Sequence, residues 1–99
     1  MRVRLTPVAL EDIAAIHQTP AAHSGEFAKR VEDAVFDCLD MLAEFPQFGR
    51  PTDERDAYRW PMGEFRYTIF YRINWGMEAL EVLRIIDSKR VRDLNRVPW

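Results

Sequence analysis

The stretch that most limits what this chain can fold into is Phe65–Ile73, reading Phe-Arg-Tyr-Thr-Ile-Phe-Tyr-Arg-Ile. It is aromatic and β-branched and holds neither Gly nor Pro, which predicts a strand. Side chains alternate along a strand. Tyr67, Ile69, Tyr71 and Ile73 therefore share one face, and Arg66, Thr68, Phe70 and Arg72 share the other. The first face is fit to pack under helices. The second carries two guanidinium groups beside an aromatic ring, and it is where a functional surface is expected.

The flanking segments supply the partners such a strand needs. In Met1–Leu5, Val3 and Leu5 alternate with Arg2 and Arg4, predicting a short strand at or near a sheet edge. Thr6-Pro7 opens a helix, because Thr caps and Pro fits the first helical position. Leu10, Ile13, Ala14 and His17 follow at helical spacing to about Gln18, and Thr19-Pro20 ends the run. Ser24 is the expected cap of a second helix reaching about Phe45. Its apolar stripe of Phe27, Val31, Val35, Cys38, Leu39, Leu42 and Phe45 is the strongest periodic signal in the chain. Two helices joined by a short loop predict an antiparallel hairpin.

Phe45-Pro46-Gln47-Phe48-Gly49-Arg50-Pro51 breaks the second helix, with Gly49 expected in a left-handed conformation. Ala57–Trp60 predicts a short strand ending at Pro61. Met62-Gly63-Glu64 leads into Phe65–Ile73, and Asn74–Glu78 is a turn into a third strong strand, Ala79–Asp87. Ser88–Trp99 reads as a basic tail, with a helical turn expected over Lys89–Asn95. The order is β-α-α-β-β-β: an α+β domain, one helix hairpin on one face of a small antiparallel sheet. The opposite face is expected to stay partly open to a ligand or partner.

Ninety-nine residues form one domain, 1–99, large enough to bury about 65% of its unfolded surface. One cysteine, Cys38, allows no intrachain disulfide, and no signal peptide or long apolar run is present, so a cytoplasmic location is expected. Without a Cys/His cluster, no metal and no cofactor are expected. Net charge is −2 but uneven: residues 84–99 hold five bases and two acids. Twelve of the fourteen bases are Arg, the residue suited to bidentate and stacked contacts, although a compositional bias would give the same count.

These words in this order resemble the ParE/RelE superfamily of bacterial type II toxins. The resemblance spans almost the whole chain. It rests on Leu5-Thr6-Pro7 before an acidic-apolar helix and on Leu42-Ala43-Glu44-Phe45-Pro46 with Gly49-Arg50-Pro51. It rests equally on Arg66-Tyr67 through Phe70-Tyr71-Arg72, and on Leu83–Asp87 running into Lys89-Arg90. The resemblance implies the fold derived above and a small antitoxin that wraps and neutralises the toxin. It also implies one of two activities: ribosome-dependent mRNA cleavage, as in RelE-like members, or inhibition of DNA gyrase without nuclease activity, as in ParE-like members.

By the RelE pattern, Arg66 and Arg90 match active-site arginines and Arg59 lies near a lysine position, while Pro61 stands where a second cation would be. Metal-free RNA cleavage needs an acid and a base as well as cations. Val91–Trp99 offers no Tyr, His, Glu or Lys, and arginine stays protonated. A pI near 5.6 also fits a protein target better than ribosomal RNA. The ParE-like reading therefore leads, with no catalytic residue, and Arg59, Arg66, Arg90, Arg92 and Trp99 are the expected contacts to target or antitoxin. Two alternatives remain: an endoribonuclease clamping phosphate with Arg59, Arg66 and Arg90, and a non-toxic partner-binding module. Plainer roles exist too. Arg66, Arg72 and Arg84 could pair with Glu64, Glu81 or Asp87 across strands, and Arg90, Arg92 and Arg96 could be a solvated tail. Trp99 could dock on the sheet or stand exposed as an anchor. His17 is expected to be packed, and Cys38 to be an inert core thiol.

Overall fold

The structure is a computed structural model that describes residues 1–18 and 25–99. The elements follow in the order β1 (Arg2–Leu5), α1 (Pro7–Ile16), α2 (Glu26–Glu44), β2 (Arg50–Pro51), β3 (Ala57–Pro61), β4 (Tyr67–Asn74) and β5 (Ala79–Asp87), with a single 3₁₀ turn at Ser88–Arg90. Thr6 caps α1 by accepting the Ala9 N–H at 3.2 Å, and Pro7 opens the helix. The Thr6 hydroxyl also donates to the Val82 carbonyl at 2.8 Å, fixing the helix start to β5. The expected helix stop at Thr19-Pro20 and the Ser24 cap lie outside the described residues. Gly25, at φ 76°, precedes α2.

The sheet order is β1-β5-β4-β3-β2. It is mixed: β1 runs parallel to β5, and the other pairs are antiparallel. A parallel β1 follows from the two helices that carry the chain away before it returns as β3–β5. Tyr67 and Arg66 begin differently from expectation. The strand starts at Tyr67, while Phe65 and Arg66 belong to the preceding turn, with Arg66 at φ 60°.

The helices cover one face. Val31, Val35, Leu39 and Leu42 of α2 and Ala9 and Ile16 of α1 pack with Ile69, Tyr71, Ile73, Leu80, Val82 and Ile85. This is the predicted face of β4. The other face, expected to stay partly open, is covered over much of its area by the C-terminal segment. Ala57, Phe70, Leu83 and Ile86 form a second apolar cluster, capped by Val97 and Val91 of the C-terminal segment. Phe70 is wholly buried there, because an aromatic ring on a sheet face must find cover. A bulge between Phe70 and Tyr71 builds this second layer. Phe70 stands opposite Arg84 and Tyr71 opposite Val82, so Leu83 is the extra residue. It places Ile85 with the helices and Ile86 with the tail, where strict alternation would do the reverse.

The C-terminal segment lies along the sheet instead of forming a helix. Polar contacts hold it. The Arg59 Nη1 donates to the Leu94 carbonyl at 2.8 Å, the Asp53 N–H to the Asn95 carbonyl at 2.6 Å, and the Trp99 indole N–H to Glu54 Oε1 at 2.8 Å. Arg84 Nη1 donates to the Pro98 carbonyl.

Candidate functional site

A groove of about 560 Å³ runs between the outer strands and this C-terminal segment. Arg50 from β2, Arg59 and Pro61 from β3, and Thr68 from β4 form the sheet side, while Ser88, Val91, Arg92 and Leu94 close it. The register explains why these side chains converge. Arg50 stands directly opposite Arg59, Arg59 opposite Phe70, and Pro61 opposite Thr68. Opposed residues share a face, so all lie on the tail side of the sheet. The Thr68 and Ser88 hydroxyls are 2.8 Å apart, with Thr68 buried at the floor.

Three guanidinium groups thus meet in one concavity with no carboxylate in its lining. Among the described residues, none of Arg50, Arg59 and Arg92 forms an ion pair. Arg59 is oriented by neutral acceptors, the Leu94 carbonyl and Asn95 Oδ1 at 3.4 Å, which fix its direction and leave its charge uncompensated. The lining is cationic and rich in hydrogen-bond donors.

The expected contact residues do not converge on one place. Arg59 and Arg92 line the groove. Arg66 does not, although its carbonyl accepts the Ser88 N–H at 2.6 Å beside it. Arg90 is exposed at the end of β5, close to Tyr67 and Asp87 in a separate small cavity that also contains Asp12. Trp99 lies with Asp53 and Glu54 elsewhere on the tail. It both docks and stays accessible: its indole N–H holds Glu54, and 67% of the residue is exposed. Glu54 also pairs with Arg72 at 3.4 Å, so Arg72 is a structural residue.

Arg50 was not foreseen as a site residue. A two-residue strand carries no periodicity, and only the register to Arg59 reveals the arginine pair. Asp12 was missed as well. Its carboxylate accepts from Arg84 Nε at 2.8 Å, from Arg84 Nη2 at 3.1 Å and from the Ile85 N–H at 2.9 Å. Arg84 therefore pairs with α1 and not with a cross-strand acid. His17 is half-exposed and pairs with Glu32 of α2 at 2.7 Å, rather than packing in the core. Burial pushes the half-buried Cys38 thiol up, which favours its protonated form. Among the described residues no group of three His, Cys, Asp or Glu side chains could hold a metal, and no helix is long and apolar enough to cross a membrane.

The two-helix layer on a mixed sheet has a counterpart among solved structures. Its fold is similar to that of a chain in the solved structure "Chromosomal ParDE TA system from P. aeruginosa", with a TM-score of 0.60 and 18% identity over 88% of this chain and 95% of that one. The family model described as "ParE toxin of type II toxin-antitoxin system, parDE" matches residues 3–92, and the chain belongs to that family. No curated protein matches the sequence.

Proposed function

We propose that this chain is a toxin that inhibits DNA gyrase and is neutralised by a cognate antitoxin, both acting in the cytoplasm. The observation that carries the reading is the ParE-type match across residues 3–92. The chemistry of the groove supports it. The lining offers arginines and hydroxyls but no His, Glu, Asp, Lys or Tyr, and arginine neither takes nor gives a proton near neutral pH. Such a site binds and orients; it is poorly equipped for cleaving RNA.

Arg59, Arg66, Arg90, Arg92 and Trp99 are the residues proposed to contact target or antitoxin. The antitoxin would set acidic side chains against exposed arginines and apolar ones along the helix layer, where Val8, Leu10 and Phe36 stand exposed. Growth arrest on expression without antitoxin, and stabilisation of a plasmid that carries the pair, follow from this reading. The test is expression in cells carrying a DNA-damage reporter and a translation reporter. The expected result is induction of the first while the second continues. Translation arrest without DNA damage would point to the ribosome, and normal growth to a non-toxic binding module.

A further inference from the structure

We propose that the cavity at the end of the C-terminal segment, walled by Trp99 and edged by Asp53, takes a lysine or arginine side chain of the protein on which the toxin acts. This deepens the reading of Trp99 as a contact residue and rests on it.

The ring argues first. Asp53, Glu54, Arg96, Val97 and Trp99 line a cavity of about 380 Å³ that shares no residue with the arginine-lined groove. Trp99 is held in place yet left open. Its indole N–H donates to Glu54 Oε1 at 2.8 Å, and 67% of the residue is exposed. Just before it in the chain, Val97 is buried and the Pro98 carbonyl accepts from Arg84. A Trp packed for stability alone would bury most of its surface. One that is tethered at its edge and otherwise open offers a preordered aromatic surface, and little freedom is lost when a partner lands on it.

Charge argues second. The face of an indole attracts a cation, and tryptophan does so best among the aromatic side chains. Asp53 stands exposed beside it and forms no ion pair among the described residues. Its N–H donates to the Asn95 carbonyl at 2.6 Å, which fixes its backbone against the tail. Glu54 holds the indole with one oxygen and meets Arg72 with the other at 3.4 Å. Both acids sit in a braced loop: the Thr52 hydroxyl accepts the Glu54 N–H at 3.2 Å and donates to the Ala57 carbonyl at 2.9 Å. The site is thus built before anything binds. Arg96, the cation in the lining, neither pairs with Asp53 nor lies over the Trp99 ring among the described residues, so the chain's own guanidinium does not fill the place.

The source of the cation follows from the signs. The antitoxin proposed above sets acidic side chains against the arginines of this chain, and Asp53 would repel such a segment. An aromatic wall beside an unpaired carboxylate selects a basic side chain instead, and the target supplies it.

The experiment titrates N-acetyl-arginine amide into the isotope-labelled full chain and follows the indole and backbone N–H signals by NMR. N-acetyl-citrulline amide, uncharged and of nearly the same shape, is the control. The Trp99 indole and the Asp53 amide should move with the arginine probe and not with citrulline, while the indole of Trp75, exposed on the β4–β5 turn, stays in place. Asp53→Asn should weaken the probe about 2–5-fold, and Arg96→Gln should strengthen it by removing a like charge. Asp53 and Arg96 are exposed, so the variants are expected to fold, and an unmoved Val97 amide shows the tail still docked. A Trp99 signal that does not move, or that moves equally with citrulline, would overturn the proposal. So would an affinity that falls in Arg96→Gln and holds in Asp53→Asn, which would make the cavity a site for an anion. Asp53→Asn should also raise the toxin concentration that half-inhibits purified gyrase by about 2–5-fold and leave antitoxin affinity as it was. An unchanged half-inhibiting concentration, or a loss of antitoxin affinity in its place, would overturn the assignment to the target. Should the probe bind as described while supercoiling is untouched by the toxin, the gyrase reading falls and the cation site stands.

Discussion

At Tyr71 one hydroxyl serves two backbone groups of the loop after α2. It accepts the Gly49 N–H at 3.0 Å and donates to the Pro46 carbonyl at 2.7 Å. The residue is fully buried, and its ring stacks on Tyr58 with centroids 5.6 Å apart. The same contact explains Gly49. Its φ is not positive; a Cβ there would meet the Tyr71 hydroxyl and stand 2.9 Å from the Arg59 carbonyl oxygen. The glycine is required by close approach, not by left-handed backbone as its sequence context predicts. Gly49→Ala should cost about 1–3 kcal/mol through overpacking, measured by urea unfolding. It should also displace Arg50, the next residue, from the groove. Burial pushes the Tyr71 hydroxyl up to about 12, well above the unfolded value near 10. The neutral form is thus favoured by the fold. Stability linked to Tyr71 should be complete below about pH 10 and decline as pH rises from there toward 12. Tyr71→Phe should remove that alkaline slope, while costing about 1–3 kcal/mol at neutral pH for the two backbone groups left unpaired.

At the scale of elements, β5 shows what a short edge strand leaves undone. β1 pairs only with Ala79–Val82, so the β5 edge beyond Val82 has no strand partner on that side. Thr6 accepts nothing from this edge but caps it with its own N–H and hydroxyl on the Val82 carbonyl, and Asp12 takes the Ile85 N–H while pairing with Arg84. Both side chains of the Asp12–Arg84 pair are less than 15% exposed. Asp12→Ala should cost about 2–3 kcal/mol and speed amide exchange at Ile85, read by hydrogen-exchange NMR. Arg84 also holds the Pro98 carbonyl, so the same variant should loosen the tail. The tail itself depends on Val97, 4% exposed against Phe70, Leu83 and Ile86. Val97→Asp would place a charge in that cluster. It should detach the segment, seen as faster exchange of the Asp53 amide that donates to Asn95, and uncover Phe70 to an apolar dye.

These elements also show what was legible in the sequence. The helices, the strong strands and the helix-facing side of β4 were readable because their periodicities are local: Tyr67, Ile69, Tyr71 and Ile73 face the helices as predicted. The covered second face was not. Its cluster joins Phe70, Leu83, Ile86 and Val97, and it depends on a bulge that shifts parity between Leu83 and Ile86. A bulge leaves no pattern in nine apolar-rich residues, and a nonhelical tail looks like solvated chain until a sheet face is known to need cover. The site was half legible for the same reason. Arg59 and Arg92 stood out by type and place, whereas Arg50 acquires meaning only from its register.

At the scale of the whole molecule, a slightly acidic chain carries eight acids and two bases on its helices, while Arg50, Arg59 and Arg92 meet on the opposite face of the sheet. Net charge is a poor guide to such a protein, because interaction with a large target depends on the face presented. The central claim is that this family member acts by inhibiting gyrase. It is tested most directly by adding the purified toxin to a supercoiling reaction with purified gyrase and relaxed plasmid. The account predicts that supercoiling stops in a dose-dependent manner and resumes when the antitoxin is supplied. Unimpeded supercoiling, with cleavage of mRNA on purified ribosomes by the same preparation, would contradict it.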